Sequence, residues 1–470
     1  MDEVRIIDLA ELYGVTNVHP FSIVFMIVMI ACALAPRRSA VLFGVLAVCV
    51  FMQAEQRVVI GALDFNMLRL FMLVAWIRVF VKGEHRSLHF GKLDRLLVLW
   101  TLSSAVVQIL RVGPSTIAYC LGVVFDALTA YFLIRVLVRT PAEVLVLWRY
   151  VAWIVVVLSP FLIYEATKLH NVFGVFTYAG FDEVVDHFRG EVRAQGPFSH
   201  PILAGTFGSV AFPVFVGILF GLKKRRTLFA VACAGAIAIT LASGSSGPLM
   251  AFWAGLVGWA IWWFRKYSRQ MWCTTIALAV VVHFIREKSI WHLIFVRVSN
   301  FVGGTGSHRY WLVETFISRF SEWALLGTSN MASWGWGLQD ATNQYVLEGV
   351  TGGLVTFVLF FLVLATGFRQ LRLARHACER LYGAKSLWAL LAWGSSVSLA
   401  VHCVSFLSVS YFGQMLQFFF FFLATVPAMS RARHPKRVKS REPSRAAKAP
   451  TAMPATAAPM RACSWASTGI

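Results

Sequence analysis

The sequence predicts an all-α polytopic membrane protein with about 12–13 transmembrane helices and a large outer loop carrying amphipathic helix. Three observations predict it. Of 470 residues, 58% are hydrophobic and only 14% charged, and the mean hydropathy of +0.69 is far above the soluble range. Apolar runs of about 15 to 25 residues follow one another from Phe21 to Met429. The basic residues recur on every second connection between these runs and in the tail. That placement also accounts for the formal charge of +21 without a nucleic-acid partner.

The elements follow in order. The opening residues, MDEVRIIDLAELYG, are acidic and polar, the wrong flank for a cleavable signal peptide. The first span is Pro20 to Leu34, stopped by Ala35-Pro36-Arg37-Arg38. The second, Ala40 to Met52, is short enough to tilt or to re-enter. Spans three to six cover Met67 to Val81, Leu93 to Leu110, Thr116 to Val138 and Ala142 to Tyr164. A polar interval, Glu165 to Pro197, precedes the seventh span, Phe198 to Leu222, which Lys223-Lys224-Arg225-Arg226 closes. The eighth and ninth form a tight hairpin broken by Ser243-Gly244-Ser245-Ser246-Gly247, and the tenth runs from Met271 to Ile285.

Next comes the longest polar interval, 286–345, too long and too rich in charge and aromatics for a plain connector. Tyr310, Trp311, Val313, Phe316, Ile317 and Phe320 recur there at helical spacing, predicting a half-buried helix at the membrane surface. Spans eleven to thirteen are Val346 to Phe368, Leu387 to Ser408 and Tyr411 to Met429, with Arg369, Arg372, Arg375 and Arg380 in the basic connection after the eleventh. The chain thus divides into an amino-terminal bundle (1–164), a region holding both polar intervals (165–429) and a basic, compositionally disordered tail (430–470). Placing every basic cluster inside puts both long polar intervals outside. Function is expected on that outer face.

Several residues fall to plain structural readings. The cysteines lie in apolar runs, one basic loop (Cys378) or the tail (Cys463), so no disulfide framework or Cys zinc site is expected. Asp64 and Asp126 read as bundle-interior hydrogen-bond partners, with a proton relay as the alternative. The run Phe418 to Phe422 reads as lipid-facing packing. The histidines have no paired metal-ligand spacing, and no metal or other cofactor is implied.

The chemistry-bearing candidates stand at the outer ends of spans. Arg193 opens Arg193-Ala-Gln-Gly-Pro-Phe-Ser-His-Pro at the mouth of the seventh span. A guanidinium there suits bidentate binding of phosphate oxygens, and equally suits snorkelling to lipid headgroups. His200, before Pro201, reads as a helix-start residue or a substrate contact. Arg309, after His308, begins the amphipathic helix, where a cation and helix-terminal N–H groups can face an anion; Arg297 is a reserve cation. Asp340, Asn343, Tyr345 and Glu348 cluster at the outer end of the eleventh span, where a water-lined cavity is a better expectation than lipid contact.

Three pieces together resemble a known family. They are Arg-x-x-Gly-x-Phe-x-x-Pro at Arg193 to Pro201, the Ser/Gly-rich hairpin turn at Ser243 to Gly247, and a large outer loop. That loop has Gly-x-x-Arg-x-x-Trp-like spacing near Arg309 and ends in Asn-x-Tyr-Val-Leu at Asn343. In order and spacing they look like the O-antigen ligase/polymerase superfamily of bacterial envelope glycosyltransferases, over roughly Tyr164 to Gly367. The resemblance implies a metal-independent, inverting glycosyl transfer at the periplasmic face of the inner membrane. The donor would be a glycan on undecaprenyl diphosphate, and the acceptor a growing glycan or lipid A-core, among membrane lipids and other polysaccharide-assembly proteins. It implies that Arg193 and a loop arginine hold the diphosphate and that the polar residues ending the loop face the acceptor.

The chain departs from the family twice. Ser245-Ser246 stand where members commonly carry Arg, and Thr342 stands where many ligases have His. With no histidine there, Asp340 is the nearest ionisable side chain able to act as base, and the absence tilts the expectation toward polymerase. Two other classes compete. A secondary transporter or lipid-carrier flippase would show internal repeats and broken helices with mid-bilayer charge; a non-catalytic scaffold would tolerate both departures.

Overall fold

The computed structural model describes residues 16–53, 55–61, 63–176, 186–188, 191–285, 292, 295 and 306–430. Arg297, the glycine run 303–305, part of the first polar interval and the basic tail beyond Ser430 lie outside the described residues.

Helices follow the apolar runs. They are α1 (Pro20–Leu34), α2 (Arg38–Phe51), α3 (Met67–Val81), α4 (Lys92–Val112), α5 (Ile117–Leu137), α6 (Pro141–Lys168), α7 (Pro201–Gly221), α8 (Thr227–Ala242), α9 (Ser246–Ala260) and α10 (Ser268–Ile285). The loop helix α11 (Gly306–Ser318) precedes α12 (Gln344–Tyr382), α13 (Leu387–Ser405) and α14 (Gly413–Ser430). The chain is a multi-pass α-helical membrane protein: eight of these helices, α4 to α7, α9 and α12 to α14, are long and apolar enough to cross a membrane. Three apolar helices, α1, α2 and α8, are shorter. The 14 residues of α2 reach about 21 Å at ~1.5 Å each, short of a ~30 Å hydrocarbon core. Yet α2 is buried along most of its length from Val41 to Val50, which makes it an interior helix of the bundle.

Two expectations are corrected. Phe418 to Phe422 do not face lipid; all five are 1–4% exposed. Their helix, α14, stands inside the bundle against α2, α5, α6, α7 and α12, and Trp148 packs edge-on against Phe418 and Phe422. The helix that carries the eleventh span does not end at Phe368. Helix α12 continues to Tyr382, so Arg369 to Arg380 and Cys378 ride on helix, and Cys378 is buried.

Helix α12 is broken at Gly353, whose φ of 65° and ψ of −171° lie outside helical space. A Cβ there would stand 2.5 Å from the Leu325 carbonyl oxygen. The close approach lets the loop pair with the break: Leu354 N–H donates to Ala324 O (2.8 Å), and Thr328 N–H donates to Val350 O (2.7 Å). Arg111 Nη1 donates to the Val350 and Leu326 carbonyls. Irregular backbone beside a membrane span is tolerated here because protein groups satisfy it.

The bundle has two polar ends. At the basic end, Glu84 accepts from Arg78 and Arg38, Asp94 accepts from Arg135 and Tyr131, and Arg265 donates to Glu379. Burial works to raise the Glu84 carboxyl, but the hydrogen bonds from Arg78 and Arg38 hold it below its ordinary value. At the opposite end lie α11 and two short hairpins. In one, β1 (Arg57–Ile60) pairs with β2 (Leu63–Asn66), and in the other, β3 (Asp186–Phe188) pairs with β4 (Glu191–Arg193). Asp64 and Asp126 are ion-paired there, to Arg57 and Arg69 respectively.

Candidate functional site

The segment that closes β4 and starts α7 is held from three sides. Arg193 Nη2 donates to Ser245 Oγ at 2.8 Å, and Ala194 N–H donates to Ala242 O at 2.9 Å. The predicted phosphate-binding arginine therefore rests against the Ser/Gly hairpin turn, at the position of the first departure. Gly196 has a φ of 57°, and a Cβ on it would stand 2.7 Å from Leu162; this explains the motif's glycine. Glu165 clamps the same turn, accepting from Gln195 N–H (3.0 Å) and Gly196 N–H (2.8 Å). From the third side, Gln414 Nε2 donates to Pro197 O at 2.7 Å, and Ser199 Oγ donates to Gln414 Oε1 at 3.2 Å. His200 caps α7, its Nδ1 accepting from Ile202 N–H at 3.1 Å.

The outer end of α12 is built differently from the expectation. Asn343 is the N-cap, accepting from Tyr345 and Val346 N–H, and its Nδ2 donates to Leu407 O. Tyr345 OH donates to Cys403 O at 2.9 Å, with its ring stacked on Phe361. Glu348 is buried and faces protein groups. Its carboxylate accepts from Trp100 Nε1 and from Gln344 Nε2, both at 2.7 Å. Gln344 Oε1 in turn accepts from Tyr411 N–H, and Tyr411 OH meets His402 Nδ1 at 2.9 Å. This buried polar chain fixes the connection between α13 and α14.

That connection, Phe406 to Phe412, is the hub of the site. Gln344 N–H donates to Phe406 O, and Asn343 bonds Leu407 O. Ser408 lies so close to the hairpin turn that a Cβ on Gly247 would stand 2.5 Å from its Oγ. Phe412 meets the His200 ring edge-on at 6.4 Å. Three segments far apart in sequence, 193–201, 243–247 and 343–345, thus converge on one seven-residue loop. Sequence reasoning missed it; the only signal was a polar LSVSYFG interruption between two apolar runs.

The loop contributes a second cluster. On α11, Leu312 and Phe316 face inward and pack with Trp323, Val346 and Val350, while Trp311 and Ile317 remain exposed. His308 Nε2 is bonded to Gly337 O at 2.7 Å, which ties the start of α11 to the stretch leading into Asp340. Arg309 is half-buried and makes no hydrogen bond or ion pair among the described residues. Burial lowers its pKa, disfavouring the cation. Asp340 is exposed, and its carboxylate has no partner among the described residues; the N-cap beside it is Asn343. Thr342 Oγ1, at the second departure, is buried without a hydrogen bond.

No hydrogen bond or ion pair joins Asp340 to Arg193 or Arg309 among the described residues. What the arrangement offers chemically at this end of the bundle is guanidinium groups beside backbone carbonyls and a hydroxyl, Arg111 at Val350 and Leu326 and Arg193 at Ser245. A guanidinium so placed can add charged hydrogen bonds to an anionic group that arrives with a ligand. Compared with models of known protein families and with curated proteins, the chain matches none.

Proposed function

We propose that this protein is a glycosyltransferase that polymerises or ligates glycans carried on undecaprenyl diphosphate, acting at the periplasmic face of a bacterial inner membrane. The observation that carries the reading is the convergence on Phe406 to Phe412. The three segments that motivated the family resemblance, in separate parts of the chain, meet at one loop on the end opposite the basic connections. In this reading Arg193 and Arg309 bind the donor diphosphate, where developing negative charge on the leaving group gains most from charged donors. The acceptor hydroxyl attacks the anomeric carbon, the bond to the diphosphate oxygen breaks with inversion, and Asp340 takes the hydroxyl proton. Asn343 and Tyr345 shape the wall behind the acceptor through the hub loop, and His308 fixes the approach of the loop.

The test is glycan transfer from a lipid-linked donor by the purified chain. Asp340→Asn should abolish elongation or transfer while donor binding and protein level stay normal. Thr342→His in that variant should restore part of the activity, since position 342 lies beside Asp340 on the same turn. Full activity in Asp340→Asn would remove Asp340 from the chemistry.

One observation favours the transporter reading: the break at Gly353 resembles the discontinuous helices of secondary transporters. Its freed Val350 carbonyl is already taken by Thr328 N–H and Arg111. A break occupied by its own protein supports a structural role over ion or substrate coordination.

A further inference from the structure

At the basic end, beyond the enclosed ion pairs, positive charge is in excess along the last turns of α12. Between Arg369 and Arg380 this helix carries four arginines and a single carboxylate, Glu379. The short helical turn Ile261–Tyr267, which follows α9, adds Arg265 and Lys266. Glu379 is already committed: it accepts from Arg265 Nε at 3.1 Å and lies 3.9 Å from Arg375 Nη1 and 3.5 Å from His376 Nδ1. Arg369, Arg372, Arg380 and Lys266 are exposed and make no hydrogen bond or ion pair among the described residues. Arg369, Arg372, His376 and Arg380 recur at helical spacing, so they share one face of α12. One carboxylate does not neutralise this group, and the face is left to attract an anion.

A second observation fixes the depth of that face. Helix α12, 39 residues long, extends about 58 Å at ~1.5 Å per residue, more than the ~40–45 Å of a bilayer with its headgroups. Its basic turns therefore leave the apolar core and enter the headgroup layer. The side chains of the neighbouring turn mark the same level. Trp263, Phe264 and Tyr267 are 83, 59 and 60% exposed, a cost in water and a gain at a membrane–water interface. Its other side is fixed to the bundle. The Arg265 guanidinium lies 4.2 Å from the Trp262 ring centroid, Trp262 meets Trp393 edge-on at 5.4 Å, and Arg375 lies 5.3 Å from the Trp393 centroid. Stacked there, Arg265 stays open on one side: its side chain is 20% exposed, and its Nη2 makes no hydrogen bond among the described residues and is not enclosed. Arg265 and Arg372 both stand within electrostatic reach of Arg375. Arg375 itself is enclosed, so it supplies charge and no contact.

We propose that the junction of this turn with α12 is a binding site for an anionic phospholipid in the leaflet at the basic end. Arg265 Nη2 and Arg372 take the lipid phosphate, Arg369 stands one turn nearer the apolar core, and the acyl chains descend beside the exposed aromatics. A soluble anionic partner would have to reach into the headgroup layer to use the same groups, so charge and depth together select a lipid. The site stands whether or not the chain transfers glycans.

The experiment counts lipids on the purified full-length chain by native mass spectrometry, after release from nanodiscs of phosphatidylethanolamine with a fixed minor fraction of phosphatidylglycerol. The wild type should keep at least one phosphatidylglycerol per chain, enriched over its share of the disc. Arg369→Gln combined with Arg372→Gln should weaken that retention by about fivefold to thirtyfold, the worth of one to two charges near a membrane surface. Neither side chain has a partner among the described residues, so this variant should melt with the wild type in discs of phosphatidylethanolamine alone. A control removes two exposed charges elsewhere at the same end, Lys223→Gln with Lys224→Gln, and should leave retention near wild type. Equal loss in both variants would show a diffuse positive surface with no site and overturn the proposal. It is overturned equally by a wild type that does not enrich phosphatidylglycerol, or by an arginine variant that retains it fully. Displacement of the lipid by an equal concentration of free glycerophosphate would also sink it, by making the ligand a soluble phosphate.

Discussion

The two polar ends of the bundle treat arginine in opposite ways. At the basic end four guanidinium groups are matched to carboxylates inside the protein, Arg135 with Asp94, Arg78 and Arg38 with Glu84, Arg265 with Glu379, while Arg139 also donates to the Val136 and Glu84 carbonyls. Asp94 is fully enclosed, accepting from Gly91 N–H, Tyr131 OH and two nitrogens of Arg135. At the hub end the arginines after β2 and Arg69 meet neutral groups. Arg111 donates to backbone carbonyls, Arg309 makes no hydrogen bond or ion pair among the described residues, and one of the contacts of Arg193 is to a serine hydroxyl. The carboxylates there are held by N–H donors instead, Glu165 by two backbone amides and Glu348 by Trp100 and Gln344. The pairs Arg57–Asp64 and Arg69–Asp126, and the exposed Arg319–Glu322, are exceptions among the described residues. Arginines already matched staple connections together, whereas Arg111 and Arg309, with no ion pair among the described residues, keep electrostatic capacity for an anion from outside.

Cysteine labelling gives the largest expected effect, because it is all-or-none. In a background without native cysteines, Ser307→Cys at the hub end should react with an impermeant thiol reagent added outside intact cells. Arg372→Cys at the basic end should react only after lysis. Both positions are exposed, so the reverse pattern would invert the comparison rather than report burial.

Breaking a matched pair should cost the most stability. Asp94→Ala leaves a 2%-exposed guanidinium without its counter-charge, a loss of about 3–5 kcal/mol for a buried pair broken on one side. Thermal unfolding in nanodiscs should show it as a large drop in Tm and a low yield. A wild-type Tm would mean that Arg135 finds another partner and that the basic end is not a staple.

At the hub end the expectation reverses, with small effects on stability and larger ones on ligand binding. Arg309→Ala breaks no hydrogen bond or ion pair among the described residues and should leave Tm near wild type. It should weaken binding of a lipid diphosphate by about tenfold to 150-fold, the worth of one charged hydrogen bond at ~1.5–3 kcal/mol. Arg193→Lys keeps the charge but loses the planar fork, so it should still impair binding. Wild-type affinity in both variants would remove the arginines from the site and end the functional contrast between the two ends.

Element positions were legible in the sequence because they depend on local quantities. An apolar run long enough to bury its backbone in lipid becomes a helix wherever it lies, and polar punctuation ends it, so α1 and α3 fall on the predicted residues. Gly196 stood in the sequence only as one position of the Arg193 to Pro201 motif, and its positive φ with no room for a side chain came from the fold. Which way a helix faces is a different question. Lipid and protein interior are both apolar, so Phe418 to Phe422 carry no mark separating a lipid-facing stripe from a core, and only the packing of α14 among its neighbours decided for the core. The same holds for polar residues at span ends. Glu348 and Tyr345 looked available for a substrate in sequence, yet Trp100, Gln344 and the Cys403 carbonyl, 248, 4 and 58 residues away, already occupy them. The hub loop carries no strong motif of its own, and its role comes from where α13 ends and α14 begins. Hydrogen-bond partners that distant are chosen by tertiary packing, and that packing alone decided which side chains at the hub end remain open to a ligand.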